Sequence, residues 1–169
     1  MSNKDFDEVI DACIVCSSKK IKLSLIDYRQ ISISKCEDCG FQFMNPQYTD
    51  EYLTEYYSNY TSGDDFDYWH EALLYGHDFY LSKIEKFINV GKMLDVGCGG
   101  GYLLEAAINR GWAVRGFDVD DVATSMVSER IGVEIDSGDF FSTKLDEDYD
   151  LVTMHQVLEH VKDPNKTLG

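Results

Sequence analysis

Three glycines and two aspartates in the middle of the chain have the types and spacing that nucleotide binding needs. The glycines are Gly97, Gly99 and Gly101, Asp95 precedes them in a short apolar segment, and Asp118 follows the next apolar segment. A chain that leaves a strand and enters a helix within a few residues needs positive φ, and a ligand against that turn needs backbone without Cβ atoms. An aspartate at the end of the neighbouring strand suits the two hydroxyls of a ribose, although either aspartate also suits local turn hydrogen bonds.

Four cysteines near the N-terminus have the spacing of a metal site. Cys13 and Cys16 form one C-x-x-C pair, Cys36 and Cys39 form another, and nineteen residues separate the pairs. Two such turns close a tetrahedron of thiolates around one structural Zn²⁺, and a site closed in this way leaves no open position for chemistry. The alternative is four unrelated thiols. The fifth cysteine, Cys98, lies inside the glycine turn and is interpreted as a small loop residue, not a nucleophile.

The glycine turn and the segments after it resemble the motifs of one enzyme family. The pattern D-x-G-x-G-x-G, which begins at Asp95, resembles motif I of the class I S-adenosylmethionine (SAM) dependent methyltransferases. Dinucleotide oxidoreductases would have a third glycine where this chain has Tyr102. Downstream, G-D-F with Asp139 and Phe140, and Y-D-L-V-T-M-H-Q-V-L-E-H-V-K-D-P, resemble later motifs of the same family in the same order. The resemblance covers about residues 91–164.

The resemblance implies SAM as cofactor and a role for each motif. The glycine turn, with Gly97, Gly99, Gly101 and Asp95, would hold the methionine end of SAM, and Asp118 would hold the ribose. Asp139 would contact the adenine amino group, with Phe140 beside the ring. Asp139 is also well suited to cap a local turn, so both interpretations stay open.

Two histidines follow the fourth predicted strand, in the loop that faces the reacting methyl group in this family. His160 is the first candidate for a general base and His155 the second, because an imidazole titrates near neutral pH. In many relatives a Glu-His pair at this point only holds the loop in place. Some small-RNA ribose methyltransferases bind a divalent metal there through Glu-x-x-Glu-His. This chain has Gln156 at the first of those positions, which disfavours a metal-dependent mechanism.

The elements that must position these residues alternate between strands and helices. This order predicts an α/β fold, a Rossmann-like parallel sheet with helices on both faces. The resemblance implies the first four strands, in order 3-2-1-4, of a seven-stranded sheet. The predicted strands lie around Leu94 and Val96 and at residues 112–117, 133–136 and 149–154. The first two predicted helices are a short one that begins at Thr49 or Asp50 and a long one over 65–89 with an interruption near Gly76. The other two cover residues 103–108 and run from Asp120 or Asp121 to Gly132. The predicted parts are a zinc ribbon with a hairpin around Asp27 to Gln30 (1–45), an aromatic-rich helical segment (46–90) and the SAM-binding domain (91–169).

Composition narrows the classes of partner. The formal charge of -16 disfavours a generic nucleic-acid binder, which depends on basic patches, and suits a cationic cofactor better. The N-terminus lacks a basic segment followed by an apolar run, and no stretch approaches the roughly 20 apolar residues of a membrane span. We therefore expect a cytoplasmic protein that acts on a small molecule.

The sequence supports methyl transfer from SAM, on oxygen or carbon, as the function. The zinc-ribbon segment and Asn45-Pro46 resemble enzymes that modify sugars and surface polysaccharides, and a lipid quinone precursor is an alternative acceptor. Two other classes stay open: a SAM-binding interaction module without turnover, and, less favoured, an NAD-dependent oxidoreductase. Because only four strands are present, we expect a fragment of a longer enzyme that is poorly active alone and self-associates through the uncovered edge of strand four.

Overall fold

The computed structural model describes residues 3–27, 31–58, 66–138, 140–143 and 148–169. The chain forms two compact units. The first unit comprises Met1–Tyr56 together with His160–Gly169, and the second comprises Tyr57–Glu159. The three parts predicted from the sequence, with boundaries after residues 45 and 90, stay a prediction.

The described elements alternate as the sequence indicates. The strands are β1 (Ile21–Ile26), β2 (Ser32–Cys36), β3 (Gln42–Met44), β4 (Lys92–Val96), β5 (Ala113–Asp118), β6 (Ile135–Ser137) and β7 (Leu151–Thr153). The helices are α1 (Asp50–Ser58), α2 (Phe66–Ile84), α3 (Tyr102–Asn109), α4 (Asp121–Ile131) and α5 (Pro164–Leu168).

The first unit contains an antiparallel sheet in the order β1-β2-β3. Ile21 pairs with Cys36 across β1 and β2, and Lys35 pairs with Gln42 across β2 and β3. The predicted hairpin is therefore confirmed. Its alternating apolar residues do not form one buried face, since β1 is largely exposed and the buried residues of β2 are Ser34 and Cys36. Residues 28–30 of its predicted turn lie outside the described residues, and Asp27 accepts a hydrogen bond from the Ile31 amide at 2.8 Å beside them.

The second unit contains a parallel sheet in the order β6-β5-β4-β7. These are the predicted strands three, two, one and four, so the predicted order 3-2-1-4 and the α/β class are confirmed. The two edge strands are shorter than predicted, since each pairs with one neighbour only and its ladder ends where that pairing ends. For example, the β5–β6 pairing begins with Gly116 opposite Ile135, so Val133 and Glu134 precede the strand.

Both faces of β4 are buried, which makes it the central strand. Met93 packs on one side with Leu81 of α2 and Trp112, whereas Leu94 and Val96 pack on the other side with Phe117. Alternate residues of a strand point to opposite faces, so a strand covered on both sides is apolar along its length.

Helix α2 runs without a break through Gly76, so the predicted interruption there is wrong. A glycine in a helix interior costs only about 1 kcal/mol relative to alanine. Packing of the fully buried Leu81 against the sheet outweighs a penalty of that size. By contrast, α4 has the predicted limits: Asp120 accepts hydrogen bonds from the Val122 and Ala123 amides, and Gly132 ends the helix with positive φ.

Within the described part of the chain, no strand pairs with the outer edge of β7, and Val152 on this strand is 51% exposed. Self-association along this edge stays a prediction. None of the described helices combines the length and apolar character that crossing a membrane requires.

Candidate functional site

The glycine turn between β4 and α3 is built from residues with positive φ. Gly97 has φ +75°, Gly99 +47° and Gly101 +70°. The predicted positive φ within this turn is therefore confirmed. Two of these positions are also closely packed. A Cβ on Gly97 would lie 2.3 Å from Val157 Cγ2, and a Cβ on Gly101 would lie 2.3 Å from Val127 Cγ1. Glycine is therefore required at both positions by conformation and by space.

Asp118 ends β5 and lies against this turn. Its Oδ2 accepts a hydrogen bond from the Gly99 amide at 2.7 Å, and its Oδ1 accepts one from the Asp120 amide at 3.1 Å. The carboxylate thus fixes the glycine turn relative to β5, at the carboxyl ends of the central strands where ligands bind in open α/β sheets. A carboxylate accepts up to about four hydrogen bonds, so contact with a ribose is compatible with both local bonds.

Asp95 is a buried carboxyl inside β4, only 2% exposed. Its Oδ1 accepts a hydrogen bond from Thr153 Oγ1 on β7 at 2.7 Å. Burial raises the pKa of Asp95 to about 7, the Thr153 hydrogen bond lowers it in part, and the negative charge of Asp118 raises it further. The sequence analysis did not identify Thr153 as the partner of Asp95. The only sequence feature that could have indicated it is a polar residue within the apolar run D-L-V-T-M.

This environment predicts a pH dependence of stability. Folded Asp95 keeps its proton up to about pH 7, whereas the unfolded chain loses it near 3.8, so the folded state binds more protons between these values. The free energy of unfolding should therefore fall as the pH rises from about 4 to about 7. Asp95→Asn should be less pH-dependent than wild type in urea unfolding at pH 4.5 and 7.5. Asp150→Asn, at an exposed site, should keep the wild-type slope, and equal slopes in all three proteins would contradict this assignment.

Residues of three helices meet beside the glycine turn. His70 Nε2 on α2 lies 3.0 Å from Glu105 Oε2 on α3, and Arg130 on α4 lies 3.3 Å from the same oxygen. Arg130 also donates a hydrogen bond to the Gly100 carbonyl and stands over the Tyr102 ring at 5.0 Å. Glu105 therefore connects α2 and α4 through α3, and Arg130 connects α4 to the glycine turn. No local sequence pattern marks His70 for this role, and only its tertiary contacts reveal the connection.

His155 lies in the loop after β7, with two rings of α2 beside it. Its ring centroid is 5.6 Å from that of His77 and 6.1 Å from that of Tyr80, both with edge-on geometry. Burial lowers the pKa of His77, and the neighbouring His155 lowers it further, which favours the neutral form. His160 ends the short 3-10 turn Leu158–His160 and belongs to the first unit.

The proposed adenine residues are only partly described. Asp139 lies outside the described residues. Phe140 packs edge-on against Phe117 at 5.3 Å and is part of the core on that side of β4. Within the turn itself, burial and, after it, the charge of Asp118 raise the pKa of Cys98, so its thiol is protonated at pH 7. This agrees with its interpretation as a small loop residue.

The four cysteines of the first unit converge. Their Sγ atoms all lie within 4.8 Å of one another, and the Cys13–Cys39 and Cys16–Cys36 pairs are 3.6 Å apart. Zn–S bonds of about 2.3 Å in a tetrahedron place sulfur atoms about 3.8 Å apart, so the donor set fits Zn²⁺.

The electrostatics of the sulfur cluster also favour a cation. The Cys39 amide, followed by the Asp38 amide, lowers the pKa of the Cys36 thiol to about 7. The Ser18 amide acts in the same direction on Cys16, but the neighbouring Cys39 thiol and burial raise the pKa of Cys16 to about 12. Four sulfur atoms this close cannot all ionise without a bound cation, which would lower these pKa values together.

A cavity of about 530 Å³ lies at the amino ends of the parallel strands, opposite the glycine turn. It is lined by Lys92, Arg115 and Asp136, among others, which lie at or near the amino ends of the strands. Arg115 is paired with Asp136 at 2.5 Å across it. The cavity is therefore remote from the glycine turn and plays no part in the candidate site.

Comparisons with known proteins give a consistent result. A family model described as a methyltransferase domain matches residues 68–169. Ubiquinone biosynthesis O-methyltransferase of Saccharophagus degradans is 42% identical over 85 residues, which cover 46% of this chain and 36% of that protein. Its counterpart from Stutzerimonas stutzeri is 38% identical over 80 residues, covering 43% and 34%. The matched segments thus span about a third of these curated relatives.

A solved structure shares the fold. The plantazolicin methyltransferase BpumL in complex with SAH superposes with a TM-score of 0.50 at 17% identity. The match covers 70% of this chain and 47% of that chain. At this identity the similarity establishes the fold alone.

Proposed function

Because the chain belongs to the methyltransferase domain family over residues 68–169, we propose that it binds SAM at the glycine turn and transfers the methyl group to a small-molecule acceptor. The observation that carries the proposal is the turn itself. Three residues with positive φ leave β4, and the Asp118 carboxylate lies against the Gly99 amide at the ends of the central strands. Supporting evidence is the name methyltransferase carried by the relatives and the SAH bound to BpumL.

The residues that would hold SAM are Gly97, Gly99, Gly101, Asp95, Asp118, Asp139 and Phe140. SAM supplies a methyl group already activated by its sulfonium. Buried Asp95 would become ionised beside the positive charge of the methionine end, because an opposite charge nearby lowers a carboxyl pKa. The work left to the protein is alignment of the acceptor and removal of its proton.

The acceptor atom proposed is the oxygen of a hydroxyl group. The oxygen would attack the methyl carbon, the carbon–sulfur bond would break, and the hydroxyl proton would pass to an imidazole. His160 is the first candidate for this base and His155 the second. His155 is supported by its position in the loop after β7, beside the His77 ring of α2. The names of the curated relatives support O-methylation, and sugar precursors and quinone precursors both remain candidate acceptors.

The first unit is proposed to hold one structural Zn²⁺ on Cys13, Cys16, Cys36 and Cys39. The spacing of the sulfur atoms and the amides directed at Cys36 support this. A cytoplasmic location is proposed on the same evidence, since reducing compartments keep such thiols available for metal.

The decisive experiment compares two aspartates that each accept a backbone hydrogen bond at opposite ends of β4. Asp118 accepts from the Gly99 amide at 2.7 Å, and Asp150 accepts from the Lys92 amide at 2.8 Å at the amino end of β4. Asp118→Ala should weaken SAM binding by roughly 1.5 to 3 kcal/mol, about 10- to 150-fold in Kd, because charge-assisted hydrogen bonds are lost. Asp150→Ala should leave the Kd unchanged. Calorimetric titration of both variants and wild type checks this.

The same titrations separate the alternatives. Binding of SAM and SAH, with SAH production on addition of a hydroxyl acceptor, supports the enzyme. Binding of both without turnover on any acceptor indicates an interaction module, and binding of NAD instead indicates an oxidoreductase. An unchanged Kd in Asp118→Ala would mean that Asp118 serves only the local turn.

A further inference from the structure

The end of the described chain is hydrogen-bonded to the first cysteine turn, here called the knuckle loop (Cys13–Cys16). Asn165 Nδ2 donates to the Ile14 carbonyl at 3.2 Å and to the Val15 carbonyl at 2.8 Å. The two carbonyls belong to consecutive residues, and consecutive carbonyls converge on one donor group only when the backbone between them is turned. Asn165 therefore recognises the folded shape of the knuckle loop, which metal binding stabilises.

A second set of contacts holds the same terminal segment. Lys162 Nζ lies 2.6 Å from Asp7 Oδ2 and 2.8 Å from Asp50 Oδ1, and the Lys162 carbonyl accepts a hydrogen bond from Gln47 Nε2 at 3.3 Å. Although burial lowers the pKa of Lys162, its two carboxylate partners raise it overall, so the amine stays charged. All of these residues belong to the first unit, and each contact bridges more than 100 residues of chain.

This segment continues directly from the candidate catalytic loop. His160 lies two residues before Lys162, and six residues separate it from the end of β7. A displacement of residues 162–165 can therefore be transmitted to His160 through the backbone. His160 thus lies in the same short segment as Asn165, whose side chain contacts the knuckle loop.

We infer that Asn165 is a positioning residue that couples metal binding at the knuckle loop to the segment that carries His160. The consequence for methyl transfer rests on the proposed function, whereas the coupling itself does not. Because coupling between two sites is reciprocal, loss of the Asn165 contacts should also weaken zinc binding. The contacts of Asn165 would then hold the segment that carries His160 against the rest of the first unit.

Hydrogen–deuterium exchange of the full chain tests the coupling without any acceptor. In wild type, removing zinc with a chelator should increase exchange of amides 160–168 as well as 13–39, by roughly tenfold in the terminal segment. In Asn165→Ala with zinc bound, the terminal segment should already exchange at the faster rate while β1–β3 stay protected. Asn165→Asp keeps the shape of the side chain but directs a carboxylate oxygen at two carbonyls, so it should behave like Asn165→Ala. Competition with a chelator dye should then show zinc affinity reduced about 3- to 10-fold in both variants.

The matched control is Asn109→Ala, an exposed asparagine at the end of α3 in the second unit, which should change neither exchange nor zinc affinity. Equal exchange of residues 160–168 with and without zinc in wild type would overturn the inference, as would zinc affinity unchanged by Asn165→Ala. Absence of zinc binding by wild type would also overturn it. A parallel SAM titration separates the two proposals. Asn165→Ala should keep the wild-type Kd for SAM. If the wild-type protein does not bind SAM, the proposed function is wrong but the coupling is unaffected.

Discussion

Replacing Cys36 by serine is expected to abolish tight zinc binding and to unfold the three-stranded sheet, while the parallel sheet keeps its structure. Cys36 is fully buried, ends β2, and packs with Cys13 and Phe43 in the core of the first unit. Structural zinc sites contribute about 10 to 16 kcal/mol of apparent binding free energy, which in small modules is folding free energy. The short strands and small apolar core around this site cannot replace a contribution of that size. Elemental analysis and exchange protection of β1–β3 measure both effects.

The control for this prediction is Cys98→Ser, which removes a buried thiol from the second unit. It should keep one zinc per chain and full protection of β1–β3. Adding a strong chelator to wild type should reproduce the Cys36→Ser result. If Cys36→Ser protein purified without chelator still holds one zinc per chain, the four-cysteine site is wrong.

Gly101→Ala is expected to destabilise the second unit and to weaken SAM binding. At φ +70° a side chain costs about 1 to 2 kcal/mol, and the new Cβ would lie 2.3 Å from Val127 Cγ1. Overpacking of this kind costs about 1 to 3 kcal/mol more. Together these effects should lower the free energy of unfolding by roughly 2 to 5 kcal/mol and displace the turn that would hold the cofactor. Urea unfolding and calorimetry with SAM provide the measurements.

Two further variants separate the conformational and steric effects. Gly132 has the same φ of +70° at the end of α4, but nothing lies within 4 Å of the position of its Cβ. Gly132→Ala should therefore show the conformational penalty alone. Adding Val127→Ala to Gly101→Ala should recover part of the SAM affinity by making room for the methyl group. If Gly101→Ala and Gly132→Ala are equally destabilised, the contact with Val127 has no energetic effect.

The local features of this protein follow from its sequence alone. The spacing of apolar residues predicts the hairpin, the central strands and α3, because helices, half-buried strands and fully buried strands each have a distinct pattern of apolar residues along the sequence. Asp120 and Gly132 mark the ends of α4 through capping that involves only neighbouring residues. The three glycines predict positive φ within the turn, because a strand that leads into a helix within a few residues needs it. The order of the parallel strands was accessible only because the motifs resemble a known family.

The tertiary structure alone decided which distant residues meet. Three hydrogen bonds join residues that no local pattern relates. The Thr153 hydroxyl donates to Asp95, the Arg130 side chain donates to the Gly100 carbonyl, and the Asn165 side chain donates to carbonyls of the knuckle loop. The limits of β6 and β7 also depend on where a neighbouring strand stops offering hydrogen bonds. Sequence periodicity records which face of each element is buried, but the partner across that face is determined only when the elements pack together.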